Sequence, residues 1–412
     1  MRRLRRCTLP NTVHTRTAQS APRGMTRSAM SHFARKCGLV YFSPVPYDSY
    51  AQRPHFMVSA FVDAGFEQVL WIDPYPTRLP TPLDLRRLGR RIAKSGPPGD
   101  ARVRVLSPTA LPIEPIPMSE AINHALFWGP VRTALRAFAQ DTTHCVIGIG
   151  RPSKLAEWTL SNVPHAYSFV DVLDNFPAFY SGLSRLAMQS RLRSICRKVS
   201  DAFCSSWSMA ERLRPLREDI ALVPNGHAIP LNTTIASPVR RACIAYVGSI
   251  APWFDWPLVC ALARGLPEVV IRILGPEHVG RPSELPVNVE LRGAVPQADV
   301  TEALRGCAVG LIPFHINELT DGVDPIKFYE YRGMGMPVWS TSFGDMRMRD
   351  HREGVTHVHA ASDWRHLWAR ALANRADMRD IAAFRAATHW RRRFEPMIVA
   401  AMRLRHRGTM TH

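Results

Sequence analysis

The chain has 412 residues, 46% of them hydrophobic, and its 53 Lys and Arg outweigh 34 Asp and Glu to give a formal charge of +19. That length suits two or three domains, and that apolar content fills globular cores, which excludes wholesale disorder. No stretch reaches the roughly 18–20 consecutive apolar residues of a membrane-spanning helix.

The positive charge does not by itself name a partner. Only Lys36, Lys94, Lys154, Lys198 and Lys327 are lysines, so the excess is almost all Arg, as a codon preference would also give. A basic surface still attracts phosphates, on nucleic acid, anionic lipid or small ligands. The eight cysteines form no C-x-x-C pair, and several sit inside apolar runs. Structural zinc and a disulfide framework are therefore not expected, and a reducing cytoplasm fits.

Residues 1–36 carry eight arginines, and the first acid is Asp48. No apolar segment follows the first arginines, so this is not a secretory signal. The stretch reads as a disordered basic arm or as upstream codons before Met25 or Met30, with an organelle transit peptide as the alternative. From Cys37 apolar runs at 38–43, 68–73, 102–106, 145–150, 166–170 and 202–206 read as strands. Most are apolar at nearly every position, as in a parallel sheet covered on both faces. Segments 120–140 and 183–199 have helical spacing, and 81–94 places Arg86, Arg87, Arg90 and Arg91 opposite Leu83, Leu85, Leu88 and Ile92. That last pattern suits either an interfacial amphipathic helix or a solvated domain helix.

A second series of strands begins beyond 220–226 and a polar stretch, at 243–249, 269–276, 288–295, 309–315 and 337–342. Helices are expected near 255–265, 299–307, 325–334 and 362–373. The chain thus reads as α/β, with two Rossmann-like doubly wound domains facing a cleft. Their bounds are 37–228 and 229–375, preceded by the arm 1–36 and followed by a helical tail, 376–412, that has the option of packing back on the first domain. No repeat of 20–50 residues recurs, which excludes a solenoid.

Ligands of such sheets bind beyond the carboxyl ends of the strands, so the loops carry the chemistry. The most informative is DGVDPIKFYEYRGMGMPV, 321–338. Asp324 and Pro325 read as N-cap and first residue of a helix. Free amides and the dipole at such a start bind anions. Lys327 lies in the first turn, and Glu330 follows on the same face. A phosphate beside Lys327 and ribose hydroxyls on Glu330 would make a nucleoside-diphosphate site; the plain alternative is a surface Lys–Glu pair.

This segment resembles the nucleotide-binding region of GT-B glycosyltransferases, particularly bacterial ones that assemble polysaccharides, whose second domain carries P-x-K-x-x-E-Y followed by G-x-P-V. Pro325, Lys327, Glu330, Tyr331, Gly335, Pro337 and Val338 supply that pattern. VPNG at 223–226, YVGSIAPWFDW at 246–256, QRPHFMV at 52–58 (an early loop) and FVDVLDNFPAFY at 169–180 extend the resemblance over residues 38–345. It implies a nucleotide-sugar donor on the second domain as co-substrate, with no cofactor or metal, and a glycan or lipid-linked acceptor on the first. Lys327 would neutralise the departing diphosphate, Glu330 would hold the ribose, and the backbone at Gly248 and Ser249 would approach the phosphates.

Two positions depart from the pattern. Retaining members carry an E-x7-E pair whose first Glu falls at Gly322, and Ala251, Pro252 and Trp253 stand where basic residues often follow the first loop. Inversion and retention therefore both stay open. On the acceptor side Asp171 and Asp174 are candidates for a general base if the enzyme inverts, with turn capping as the alternative. They share a face only in a helix and oppose one another in a strand. His55 is a weaker cleft candidate, Lys154 is a candidate for an anionic acceptor, and Trp253, Phe254 and Trp256 stack on the ligand or join the core. The resulting expectation is a cytoplasmic glycosyltransferase, peripheral at the inner face of the membrane if anionic lipid attracts its basic surface, with no nucleic-acid partner. The same scaffold also serves nucleotide-sugar epimerases and catalytically inactive binding subunits.

Overall fold

The computed structural model describes residues 36–80, 100–231, 243–296, 299–373 and 377–403. The arm before Lys36 and the basic segment 81–94 lie outside the described residues. From Lys36 onward the described residues form one compact unit built on two sheets.

The first sheet contains β1 (Cys37–Phe42), β2 (Gln68–Ile72), β3 (Val103–Leu106), β4 (His144–Ile149), β5 (Tyr167–Val172), β6 (Asp201–Cys204) and β7 (Ala221–Leu222). Their spatial order is β3-β2-β1-β4-β5-β6-β7 and every pairing is parallel. The second contains β8 (Cys243–Val247), β9 (Val270–Leu274), β10 (Val289–Arg292), β11 (Val309–Ile312), β12 (Val338–Ser340) and β13 (Val355–His357). It runs β10-β9-β8-β11-β12-β13, again all parallel. Each order reverses once, between β1 and β4 and between β8 and β11. Crevices open at those points beyond the carboxyl ends of the strands.

β1, β4 and β5 are buried at every residue, which is why their sequences do not alternate. Helices cover both faces of the first sheet, and each face has its own apolar core. The expected 120–140 helix is broken in two, Ser119–Leu126 and Gly129–Asp141, because Pro130 disfavours a continuous helix through this point and instead sits in the first turn of a new one. QRPHFMV is not a loop, as read from sequence, but the start of the helix Arg53–Asp63, whose Pro54 occupies the first turn and whose Met57, Val58, Phe61 and Val62 are buried.

The chain passes from the first sheet to the second after Leu222 and returns at the junction of helices Met378–Thr388 and Trp390–Arg403. The first of these helices packs on Ile326–Gly333 of the second half, and the other packs on Arg53–Asp63 of the first. Phe56 stacks on Trp390 at 5.3 Å, and Trp390, Phe394, Met397 and Ala401 join the first half's core. Side chains of that size contribute about 2 kcal/mol each when buried. The two crossings touch: His227 N donates to Thr388 O at 3.2 Å and Trp390 N donates to His227 O at 3.1 Å.

A buried polar chain also joins the halves. Arg53 clasps Asp171 through Nε (2.9 Å) and Nη2 (2.8 Å) and donates from Nη1 to Asn225 at 3.2 Å. The Asn225 amide donates to Asp324 at 2.8 Å, and Arg349 closes on the other oxygen of Asp324 at 2.7 Å. Asp345 of the second half accepts from the Trp207 and Ser208 amides and so caps a first-half helix, Trp207–Leu213. Among the described residues no helix is long and apolar enough to cross a membrane.

Candidate functional site

The carboxyl ends of both sheets face a cleft of about 530 Å³. Its first wall comes from the loops after β1, β4 and β5, and its second from the loops after β8 to β11 together with the start of the helix Ile326–Gly333. Lys327, Glu330, Gly248, Ser249 and Asp174 all line it.

The helix Ile326–Gly333 begins one residue later than the sequence predicts. Pro325 is its N-cap and no side chain caps it. Asp324, expected as the cap, is instead buried and accepts from Asn225 N, Tyr329 OH (2.9 Å) and Arg349. The first-turn amides therefore keep the anion-binding character of an uncapped start. Lys327 extends from that turn over the β8 loop, with Nζ 5.3 Å from the Tyr246 ring centre and 5.4 Å from that of Phe314. Burial holds its pKa below that of an ordinary lysine, while the charge of Glu330 pulls the other way. Gly248 is what lets it pass: φ is +140°, and a Cβ there would lie 2.4 Å from Lys327 Cε. Tyr331 donates no charge to the site. Its hydroxyl instead accepts from Val247 N at 3.0 Å and ties the helix to the end of β8.

Across the cleft the two acidic candidates separate. Asp171 lies within β5, is 0% exposed and is clasped by Arg53, so it holds the fold and does not reach the cleft. Asp174 follows the strand and lines the cleft; its carbonyl accepts from Phe176 N at 2.8 Å, while its carboxylate has no hydrogen-bond partner among the described residues. Burial pushes its pKa up to about 6, with Arg53 pulling it down. His55 does not line the cleft as expected. Its Nδ1 accepts from Gln52 N at 3.2 Å, its Nε2 donates to Tyr47 O at 3.0 Å, and its ring lies on Trp71. Lys154 is not in the cleft either; it donates to Ser119 in a separate surface pocket. Of the aromatic trio Trp253 lines the cleft, while Phe254 and Trp256 are core.

Gly322 is buried beneath Met209, whose side chain would have to shift to admit a larger residue. A Cβ there would come within 2.8 Å of Met209 Sδ, and Ser206 Oγ donates to its carbonyl at 2.7 Å. Two cleft residues were not singled out by sequence. Tyr50 reaches across the mouth to Ser249 Oγ at 3.0 Å, and Arg151 stands directly after β4. Among the described residues, no three His, Cys, Asp or Glu side chains gather as metal ligands.

No protein-family model matches this chain, and no curated protein does. Solved structures do. The chain is similar to AviGT4, a glycosyltransferase involved in avilamycin A biosynthesis, at 11% identity and a TM-score of 0.52 over 89% of this chain and 97% of that one. It is similar to the lipopolysaccharide outer core galactosyltransferase WaaB at 11% identity and a TM-score of 0.53, over 88% and 99%. The Anabaena protein HepE, solved in complex with UDP-glucose, matches at 13% identity and a TM-score of 0.52 over 89% and 96%. The fold is thus the GT-B fold of these structures.

Proposed function

We propose that this chain is a glycosyltransferase that moves a sugar from a nucleoside-diphosphate sugar to a hydroxyl of a glycan or lipid-linked acceptor in polysaccharide assembly. One observation carries the reading: Lys327 at an uncapped helix start and Asp174 without a partner line opposite walls of one cleft. A cation for a leaving diphosphate and a base for an incoming hydroxyl are what such a transfer requires. The acceptor hydroxyl gives its proton to Asp174 as its oxygen bonds to the anomeric carbon. The bond from that carbon to the diphosphate breaks, and its electron pair leaves on an oxygen held by Lys327 and the helix amides. Attack from the wall opposite the donor inverts the anomeric centre. Gly322, closed over by Met209, favours this course over one that needs a Glu there.

A thermal-shift panel of UDP-, GDP-, ADP- and CMP-sugars identifies the donor, since a ligand of the folded state raises its melting point. Product analysis then decides the reaction. Diphosphate release with a new inverted glycosidic bond supports transfer, an epimerised donor supports an epimerase, and binding without turnover supports an inactive subunit. Glu330→Ala is expected to weaken donor affinity about tenfold with little change in kcat, because ribose contacts act alike in ground and transition states. A kcat collapse at unchanged KM would remove Glu330 from the ribose.

We also place the protein in the cytoplasm at an anionic membrane face, a reading supported by the charge of +19. It should co-float with anionic vesicles at low salt and dissociate as salt rises. Failure to float at low salt would point to a soluble acceptor.

A further inference from the structure

Most charges in and beneath the cleft face an opposite charge. Arg53 is closed on Asp171, Asp324 on Arg349, and Lys327 stands one turn from Glu330. Arg151 differs. It lines the cleft, yet no carboxylate pairs with it among the described residues. Its Nη2 donates to Tyr180 OH at 2.7 Å and to Thr77 Oγ1 at 3.1 Å, and both partners are neutral. A guanidinium has five N–H donors. The Nε donor is buried without a partner, and Nη1 has no hydrogen bond among the described residues.

Its place in the fold is also particular. The amides of Gly150 and Arg151 donate to Phe42 O, the last residue of β1, at 2.8 and 3.1 Å. Arg151 is thereby pinned between β1 and β4, at the crevice where the strand order reverses. Tyr180 and Thr77 hold Nη2 and fix the plane of the head group in advance, which leaves the two Nη1 donors for a charge-assisted contact with a phosphate or carboxylate.

We propose that Arg151 seats a negatively charged group of the acceptor, a phosphate or a carboxylate, so that the acceptor is an anionic sugar. This rests on the glycosyltransferase reading and goes beyond it in naming the acceptor's chemistry. The two anion seats then stand on opposite walls, Lys327 for the donor and Arg151 for the acceptor. The second also offsets the repulsion that Asp174 exerts on an anionic acceptor.

The test uses the full chain saturated with whichever nucleoside diphosphate binds it, titrated calorimetrically with glucose 6-phosphate, glucuronate and glucose. At least one anionic sugar should bind about tenfold more tightly than glucose, the range of one charge-assisted contact. Arg151→Gln should erase that preference and leave diphosphate affinity within about twofold. Phosphate preferred over carboxylate identifies a phosphorylated acceptor and the reverse a uronic acid; both support the seat. Equal or unmeasurable binding of all three sugars by the wild type overturns the inference, as does a preference that survives Arg151→Gln. In those cases diphosphate binding leaves the transferase reading standing. A chain that binds no nucleoside diphosphate overturns both.

Discussion

Asp174→Asn is expected to lower kcat/KM by about 10²–10⁴-fold and, in the same variant, to raise the melting temperature. The two effects share one cause. Burial lifts the Asp174 pKa from 3.8 to about 6, so the ionised form that accepts the proton is a strained state of the folded protein. Between roughly pH 4 and 6 the native state binds more protons than the unfolded chain, so this group's contribution to stability falls as pH rises through that window. Above it the full penalty stands. A shift of this size is worth about 1–3 kcal/mol, which the neutral amide recovers. Wild-type kcat/KM should fall on the acid side below about pH 6 as the base becomes protonated. An Asn variant that keeps its activity, or loses it together with stability, would assign the proton transfer elsewhere.

Lys327→Ala is expected to cost about 2–4 kcal/mol of transition-state stabilisation, or roughly 30–1000-fold in kcat, by analogy with a lost oxyanion donor. Without substrate this ammonium is desolvated against two aromatic faces, and its depressed pKa records the cost. An arriving diphosphate brings a second, stronger negative charge than Glu330 offers, and charge that grows as the glycosidic bond breaks strengthens that pairing. The alkaline limb of the pH–rate profile should accordingly appear earlier than an ordinary lysine would place it. The fold should survive, because trimming the side chain opens space over Gly248 and breaks no hydrogen bond of that side chain among the described residues. Steady-state kinetics with the identified donor check both points, and unchanged turnover would remove Lys327 from the leaving-group side.

The fold was legible in the sequence wherever one residue type dominated. Strands such as CVIGIG are apolar on both faces because both are covered, and the switch to helical spacing between them marks the crossovers. Val355–His357 was not legible, since a three-residue edge strand with one buried side chain has no pattern to read. The Lys327–Glu330 spacing was legible because helix periodicity is local, whereas the cap was misread, because Asn225 and Arg349, both distant in sequence, draw Asp324 away from the helix start. Asp171 and Asp174 were not separable: where β5 ends decides which carboxylate meets Arg53 and which meets the cleft. Arg151 was hidden for a different reason. Its meaning depends on β1 lying beside β4, about a hundred residues apart in sequence, and no local spacing encodes that neighbour.

The paired crossings at His227 and His389 have a mechanical consequence. Two links that run side by side, hydrogen-bonded to each other, form a double strap between the halves. Gly226 keeps them close, since a Cβ there would sit 2.4 Å from Thr388 O. Two crossings restrain twisting and sliding of the halves more than one crossing would. Lys327 stands on one half and Asp174 on the other, so these links, together with the Asn225–Asp324 contact and the Asp345 cap, hold the two walls of the cleft in register.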